Sequence, residues 1–440
     1  MRSRGIFIFT LVAAVAISGI GPVASAAEPE LTFATFLSDT KLPDLPSGTT
    51  KSDAIRILTS QGAREASGSG SKSKHPEKSE LPFTKGSADL AGDSTPNTFQ
   101  TCQARPEGNA DMYGQVINRQ TFCRHGYAEV MAWRGDIPLG TLSYRETHIA
   151  TAVNGNREAL IGVKLDDFKP GGIWSNNSMV EITLATKSEQ DASPGTPTAC
   201  KAIGATNPFG GTLSQWKAKS EIGWSIVSDS AFGVGDEKLV DCHWQVEHRA
   251  LVASPFFHGD WTGKMARPAQ DIRFDSTNYL PQREGAVFSR AIPYLEYSRT
   301  DPRVKGVAEH IYTAFTNPAA TLPAKTDGTP KVIPGNISGN PPSLITRLYP
   351  GANPIAQQAY NDNRAVVASV CATIPHNPGE ECDEFPFAST WEGAAMNDQK
   401  NFSVRYVHGV ENGNAGGDLS AWYGSSRVIH NEKFGVDIIP

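Results

Sequence analysis

From residue 99 to about residue 299 the chain carries one repeated pattern: short runs of alternating apolar and polar residues, rich in β-branched and aromatic side chains, separated by Gly, Asn, Asp and Pro. A period of two buries one face of a strand, so this pattern dictates sheets. The clearest strands are expected at 127–134, 159–165, 179–186, 239–252 and 286–297. Many short strands with no helices between them predict a sandwich or barrel. One helix closes the region, with Asp301 as N-cap, Pro302 at its first position and Val304, Val307, Ala308, Ile311 and Ala314 on one face. Residues 96–317 are therefore expected to form an all-β, sandwich-like domain ending in a helix.

The residues before it read differently. Arg2 and Arg4 precede an apolar run from Ile6 to Ile20, and Ala24-Ser25-Ala26 follows. This is the layout of a secretory signal peptide over residues 1–26, with an apolar run too short for a membrane span of about 20 residues. The mature chain is expected to be secreted and extracellular. Residues 27–95 are rich in Ser, Lys, Gly and Pro, with Ser67-Gly68-Ser69-Gly70-Ser71 near the centre. Such a composition buries too little apolar surface to offset ordering entropy. A flexible leader and an inhibitory propeptide both fit it.

Six cysteines stand at Cys102, Cys123, Cys200, Cys242, Cys371 and Cys382. An even number in an oxidising compartment implies pairing, and six cysteines allow about fifteen connectivities. Nearest-neighbour pairing keeps each loop within one expected domain, so Cys102–Cys123, Cys200–Cys242 and Cys371–Cys382 is preferred. A zinc finger is disfavoured because no Cys-x-x-Cys pair occurs. His243 and His248 do not make a metal pair either. Five residues apart on a strand, they face opposite sides and stand about 16 Å apart.

A Pro/Gly/Lys-rich tract at 318–341 reads as a linker. Residues 342–440 then mix helix and strand: a helix from Asn353-Pro354 to about 372, a strand at 402–407, a Gly-rich turn, a short helix and a last strand at 434–439. That is a small α+β domain, making the whole chain α+β. No Gly-x-Ser-x-Gly elbow or phosphate-binding P-loop is present.

Candidate chemistry concentrates at the C-terminal end. One cluster runs from Cys382 through Asp383-Glu384-Phe385-Pro386 to Trp391-Glu392-Gly393. The other follows Val404-Arg405-Tyr406-Val407 as Glu411-Asn412-Gly413-Asn414-Ala415-Gly416-Gly417. With Leu344-Ile345-Thr346-Arg347-Leu348 and Asp362-Asn363-Arg364-Ala365 ahead of them, these residues resemble the NucA/NucB family of secreted bacterial deoxyribonucleases. The resemblance covers about residues 342–440. It implies a small ββα-metal-like nuclease fold, in which a strand presents a general base and the following helix holds one divalent cation. On that scheme Asp383 is the base, Asn412 the metal ligand and Glu411 a second ligand. Glu384 and Glu392 are accompanying carboxylates, while Arg405 and Asn414 are contacts for substrate. The departures are Gly413, where an Arg often follows the Asn, and Ala394, where a second Gly is usual.

The residue types suit that chemistry independently. Phosphodiester hydrolysis needs a base for water and a cation to neutralise developing charge. Hard Mg²⁺ or Mn²⁺ accepts amide and carboxylate oxygens and keeps waters, so one or two protein ligands suffice. Neighbouring residues of a strand face opposite ways, so only one of Asp383 and Glu384 is expected to face the phosphate. Residues 340–440 hold six Lys/Arg against eleven Asp/Glu. DNA binding should thus be weak and salt-sensitive unless Arg347, Arg364, Lys400, Arg405 and Arg427 gather on one face.

Two kinds of function follow. The first is a secreted, metal-dependent, sequence-nonspecific endodeoxyribonuclease that contacts the DNA backbone. The alternative is a secreted binding protein, for cell wall or protein, with a degenerate nuclease module.

Overall fold

Alternation of buried and half-buried positions runs without interruption through Val240–Leu251, where Val240, Cys242, Trp244, Val246, His248 and Ala250 all point inward. This strand anchors one of two large antiparallel sheets in a computed structural model. The structure describes residues 31–38, 41–43, 45–46, 48–61, 63–65, 84–85, 97–105, 114–188, 198–253, 262–266, 270–396 and 400–440. The signal-peptide reading of residues 1–26 lies outside them.

The first sheet has eight strands among the described residues. Its middle is built by Leu31–Ser38, Thr121–Arg134, Ile137–Ala152, Glu158–Pro170 and Glu221–Ser228 in that spatial order. The second has six, centred on Met179–Ser188, Val240–Leu251 and Gln270–Ser276. Tyr144, Ile161 and Val163 from one sheet meet Val180, Ile182, Trp244 and Val246 from the other in a single core. Burial of that apolar surface is the main force holding the sheets face to face.

All three expected cysteine pairs are bridged. Cys200–Cys242 ties an edge strand of the first sheet to the central strand of the second. Among the described residues no helix is long and apolar enough to cross a membrane.

Several boundaries differ from expectation. Leu31–Ser38 is not part of a loose leader but an eight-residue strand in register with 127–134, and Lys51–Ser60 is a helix capped by Thr50. Phe36, Ala54 and Leu58 pack with Met131 and Trp133 in a satellite core. The 286–297 strand is broken into Glu284–Val287, Ala291–Ile292 and Tyr294–Ser298. A sixteen-residue strand, Ile137–Ala152, was not anticipated. The helix expected from Asp301 begins at Lys305 and has no side-chain cap from its N-cap residue Val304, because 302–304 form turns.

The 318–341 segment is not a detached linker. Ile333 and Ile337 are buried, Leu322 bridges to Val404, and Asn336 bridges to Val436. Tyr294–Ser298 runs parallel to the last strand, Lys433–Ile439, whose other edge takes Ile345–Thr346. Leu295, Val307 and Ile311 share one core with Phe385, Val407, Leu419, Trp422 and Val436. The strand and helix at 294–316 thus pack as part of the C-terminal unit.

A buried charge network joins that unit to the sandwich. Arg427, fully buried and at φ 45°, is paired with Asp275 and donates to the Asn154 side chain and the carbonyls of Gln282 and Glu284. Arg119 and Arg273 converge on Glu432 at 2.6 and 2.7 Å. Burial pushes the Glu432 carboxyl up, but the two guanidiniums outweigh it and hold it down at about 2.

Candidate active site

Glu380–Phe385 and Ser403–His408 pair antiparallel, with Asp383 opposite Arg405 and Phe385 opposite Ser403. The helix Gly409–Ser425 follows the second strand directly. Cys371–Cys382 ties the first strand to the end of the helix Pro354–Cys371. Asn353 starts that helix, its side chain accepting from the Ala356 amide at 2.9 Å, as expected from the Asn-Pro sequence.

The two strands form a sheet of their own among the described residues, which leaves the far edge of Glu380–Phe385 without a strand partner. A cleft of about 660 Å³ runs along this edge, with Arg364 and Val367 on one side and Asn412, Gly416 and Leu419 on the other. Asp383 and Glu384 both line it. Strand alternation does send them to opposite faces, Phe385 packing toward the central core and Val404 and Cys382 toward the 354–371 helix. Both residues line the cleft although their side chains leave the strand on opposite faces.

The Asp383 carboxylate is almost fully buried and takes a 2.7 Å hydrogen bond with His310 Nδ1. The other ring nitrogen, Nε2, lies 2.6 Å from Ser403 Oγ. This chain resembles a Ser-His-Asp triad in its members but not in its placement. Ser403 is completely buried and is not among the cleft walls, so it has no access to a substrate. His310 instead fixes the carboxylate from behind. Nothing in the sequence marked His310 beyond its place in an amphipathic helix, 73 residues before Asp383.

Glu384 sits beside this fixed charge. Burial first, then the neighbouring Asp383, pushes its carboxyl up to about 7, while the Ala388 amide and Arg364 pull the other way. Asn412 donates from Nδ2 to Glu381 Oε2 at 3.2 Å, which orients the amide and leaves its carbonyl oxygen for a ligand. Carboxylate and amide oxygens together are a donor set for a hard divalent cation.

Positive charge comes from Arg347 and Arg364, both in the cleft wall. Arg347 lies 4.1 Å from the centre of the Tyr423 ring and near the rings of Tyr279 and Tyr349, which stack on each other. Tyr279 belongs to the sandwich side of the chain, so the cleft is built by both parts.

The other candidates are elsewhere. Glu411 is not in the cleft wall; its carboxylate accepts from the Gly306 amide and supplies the cap that the 305–316 helix lacks. Glu392 accepts from the Thr346 backbone and hydroxyl at 2.7 and 2.9 Å, pinning a short strand. Asn414 donates to the Arg303 carbonyl. Arg405 is exposed outside the cleft, because the cleft opens at the edge of the Asp383 strand away from its hairpin partner. Arg427 is consumed by the network with Asp275, and Lys400 is not in the cleft wall. The expected Gly-rich turn is helical: residues 411–417 lie inside Gly409–Ser425, held there by buried Ala415, Leu419, Trp422 and Tyr423. Gly413 is not among the residues with positive φ.

Paired carboxylates, an oriented amide and two guanidiniums around one cleft are residue types that suit phosphate-ester chemistry. Residues 338–437 match the family Deoxyribonuclease NucA/NucB. This C-terminal part of the chain is therefore a deoxyribonuclease domain, a hydrolase of DNA phosphodiester bonds. No curated protein and no solved structure matches the chain. His310 and Tyr297 lie before the matched residues, although both pack into the same unit.

Proposed function

We propose that the chain is a secreted, metal-dependent and largely sequence-nonspecific endodeoxyribonuclease, with its active cleft along the free edge of Glu380–Phe385. The observation that carries this reading is that Asp383, Glu384, Asn412, Arg347 and Arg364 line one cavity. Asp383, held by His310, accepts the proton of the attacking water. Glu384, whose carboxyl retains a proton near neutrality, returns one to the leaving oxygen. Asn412 offers its carbonyl oxygen to a Mg²⁺ or Mn²⁺ ion, which when bound neutralises charge on the phosphate. Arg347 and Arg364 hold flanking phosphates, and the tyrosines give bases a surface to stack on.

Three disulfides suit an oxidising compartment and so support export. The test is plasmid nicking by the full chain with Mg²⁺ or Mn²⁺, with EDTA, and with Asp383→Asn. Cleavage that EDTA abolishes and Asp383→Asn lowers by about 10²-fold or more supports the assignment. The binding-protein alternative predicts no cleavage with any divalent ion.

A further inference from the structure

The strand Ile137–Ala152 puts Tyr144, Glu146 and His148 on one face, and that face looks into the sandwich core. His248 reaches the same point from Val240–Leu251 in the opposite sheet. Glu146, His148 and His248 are at most 2% exposed. Glu146 Oε2 lies 2.9 Å from His248 Nε2 and 3.5 Å from His148 Nε2. Tetrahedral zinc with nitrogen and oxygen ligands spaces its donors about 3.3 Å apart, so the two distances bracket what such an ion requires.

Neither ring nitrogen has a hydrogen-bond partner, although both are buried. Their approach to the carboxylate is close enough for hydrogen bonds but not aligned for them. That is the geometry of donors aimed at a common point rather than at one another. The outer contacts also match a metal centre. Tyr144 Oη lies 3.2 Å from His248 Nδ1, and Arg124 donates to the other Glu146 oxygen at 2.8 Å.

We infer that Glu146, His148 and His248 bind a zinc ion that clamps the two sheets of the sandwich, separate from the divalent ion of the nuclease cleft. The ion cross-links the two sheets much as Cys200–Cys242 does elsewhere in the core. The site depends in no way on the nuclease reading.

The test is the metal content of the full chain, loaded with one equivalent of zinc and passed through gel filtration in metal-free buffer. The expected result is about one zinc per chain. His148→Gln/His248→Gln should bring it to background, while Asn412→Ala should leave it unchanged. If the double variant does not fold, zinc-edge X-ray absorption of the unaltered chain reads the ligands directly, and two imidazoles are expected. A chain that retains no stoichiometric zinc overturns the inference. So does zinc that survives the double substitution, or a spectrum without imidazole.

Discussion

Replacing Gly416 by Ala separates substrate fit from stability more cleanly than changing any charged group. Gly416 lies within the helix Gly409–Ser425 and lines the cleft, and a Cβ there would meet no protein atom within 4 Å. Glycine in a helix interior costs about 0.8–1.0 kcal/mol relative to alanine, so the variant should be more stable by that amount. For a unit of this size that is about 2–4 °C in Tm. Gly417 is the control: it is also helical and also open, but it is not in the cleft wall. Both alanine variants should unfold at higher temperature in a calorimetric scan. In a plasmid assay only Gly416→Ala should lose activity, by about tenfold or more, because a methyl displaces the DNA backbone by about 1 Å. Equal activity in the two variants, with both stabilised, would show that no substrate passes over this helix face.

Three further outcomes follow from the same geometry. His310→Ala removes the partners of both Asp383 and Ser403 and should lower kcat with little change in KM, while His310→Gln, which can still reach one partner, retains more activity; an unchanged kcat in His310→Ala would refute the positioning role. With Glu384 as acid and its carboxyl pushed up to about 7, kcat should fall as pH rises through about 7, and Glu384→Gln should abolish that alkaline limb. Glu432 is held at about 2 against an ordinary value of 4.5, so its contribution is complete above about 4.5 and is lost as pH falls toward 2. That difference is worth about 3 kcal/mol, and Glu432→Gln should flatten the acid side of a stability-against-pH curve, whereas an unchanged curve would show that the interface network does not stabilise the fold.

How far the sequence spoke depended on whether local pattern and tertiary role agreed. Met179–Ser188 and Val240–Leu251 were legible because their inward positions are mostly apolar and strictly alternate. Ile137–Ala152 was not, because its inward face carries Glu146 and His148, which read as solvent-facing residues. Leu31–Ser38 was hidden by the Ser, Lys and Gly that surround it, and Ile333 and Ile337 by a Pro/Gly background. The disulfides followed from simple proximity along the chain.

At the site, Asp383 and Asn412 were readable from motif and both line the cleft. Glu411 as a second metal ligand and Glu392 as a supporting carboxylate look as plausible in sequence, yet backbone amides bond to their carboxylates. The glycines of 409–417 imitate a turn, and only packing of Leu419, Trp422 and Tyr423 makes them helical. His310 and Tyr279 were beyond reach, since only the folded chain brings those distant segments to the cleft.

On the proposed scheme Asn412 holds one divalent ion beside the general base Asp383, at the edge of the Glu380–Phe385 strand. A crystal of the full chain soaked in Mn²⁺ and measured at the manganese edge tests it directly. An anomalous peak in the cleft, about 2.0–2.5 Å from the Asn412 carbonyl oxygen, is the predicted result. A cleft that stays without metal, or a peak outside the reach of Asn412, would contradict it.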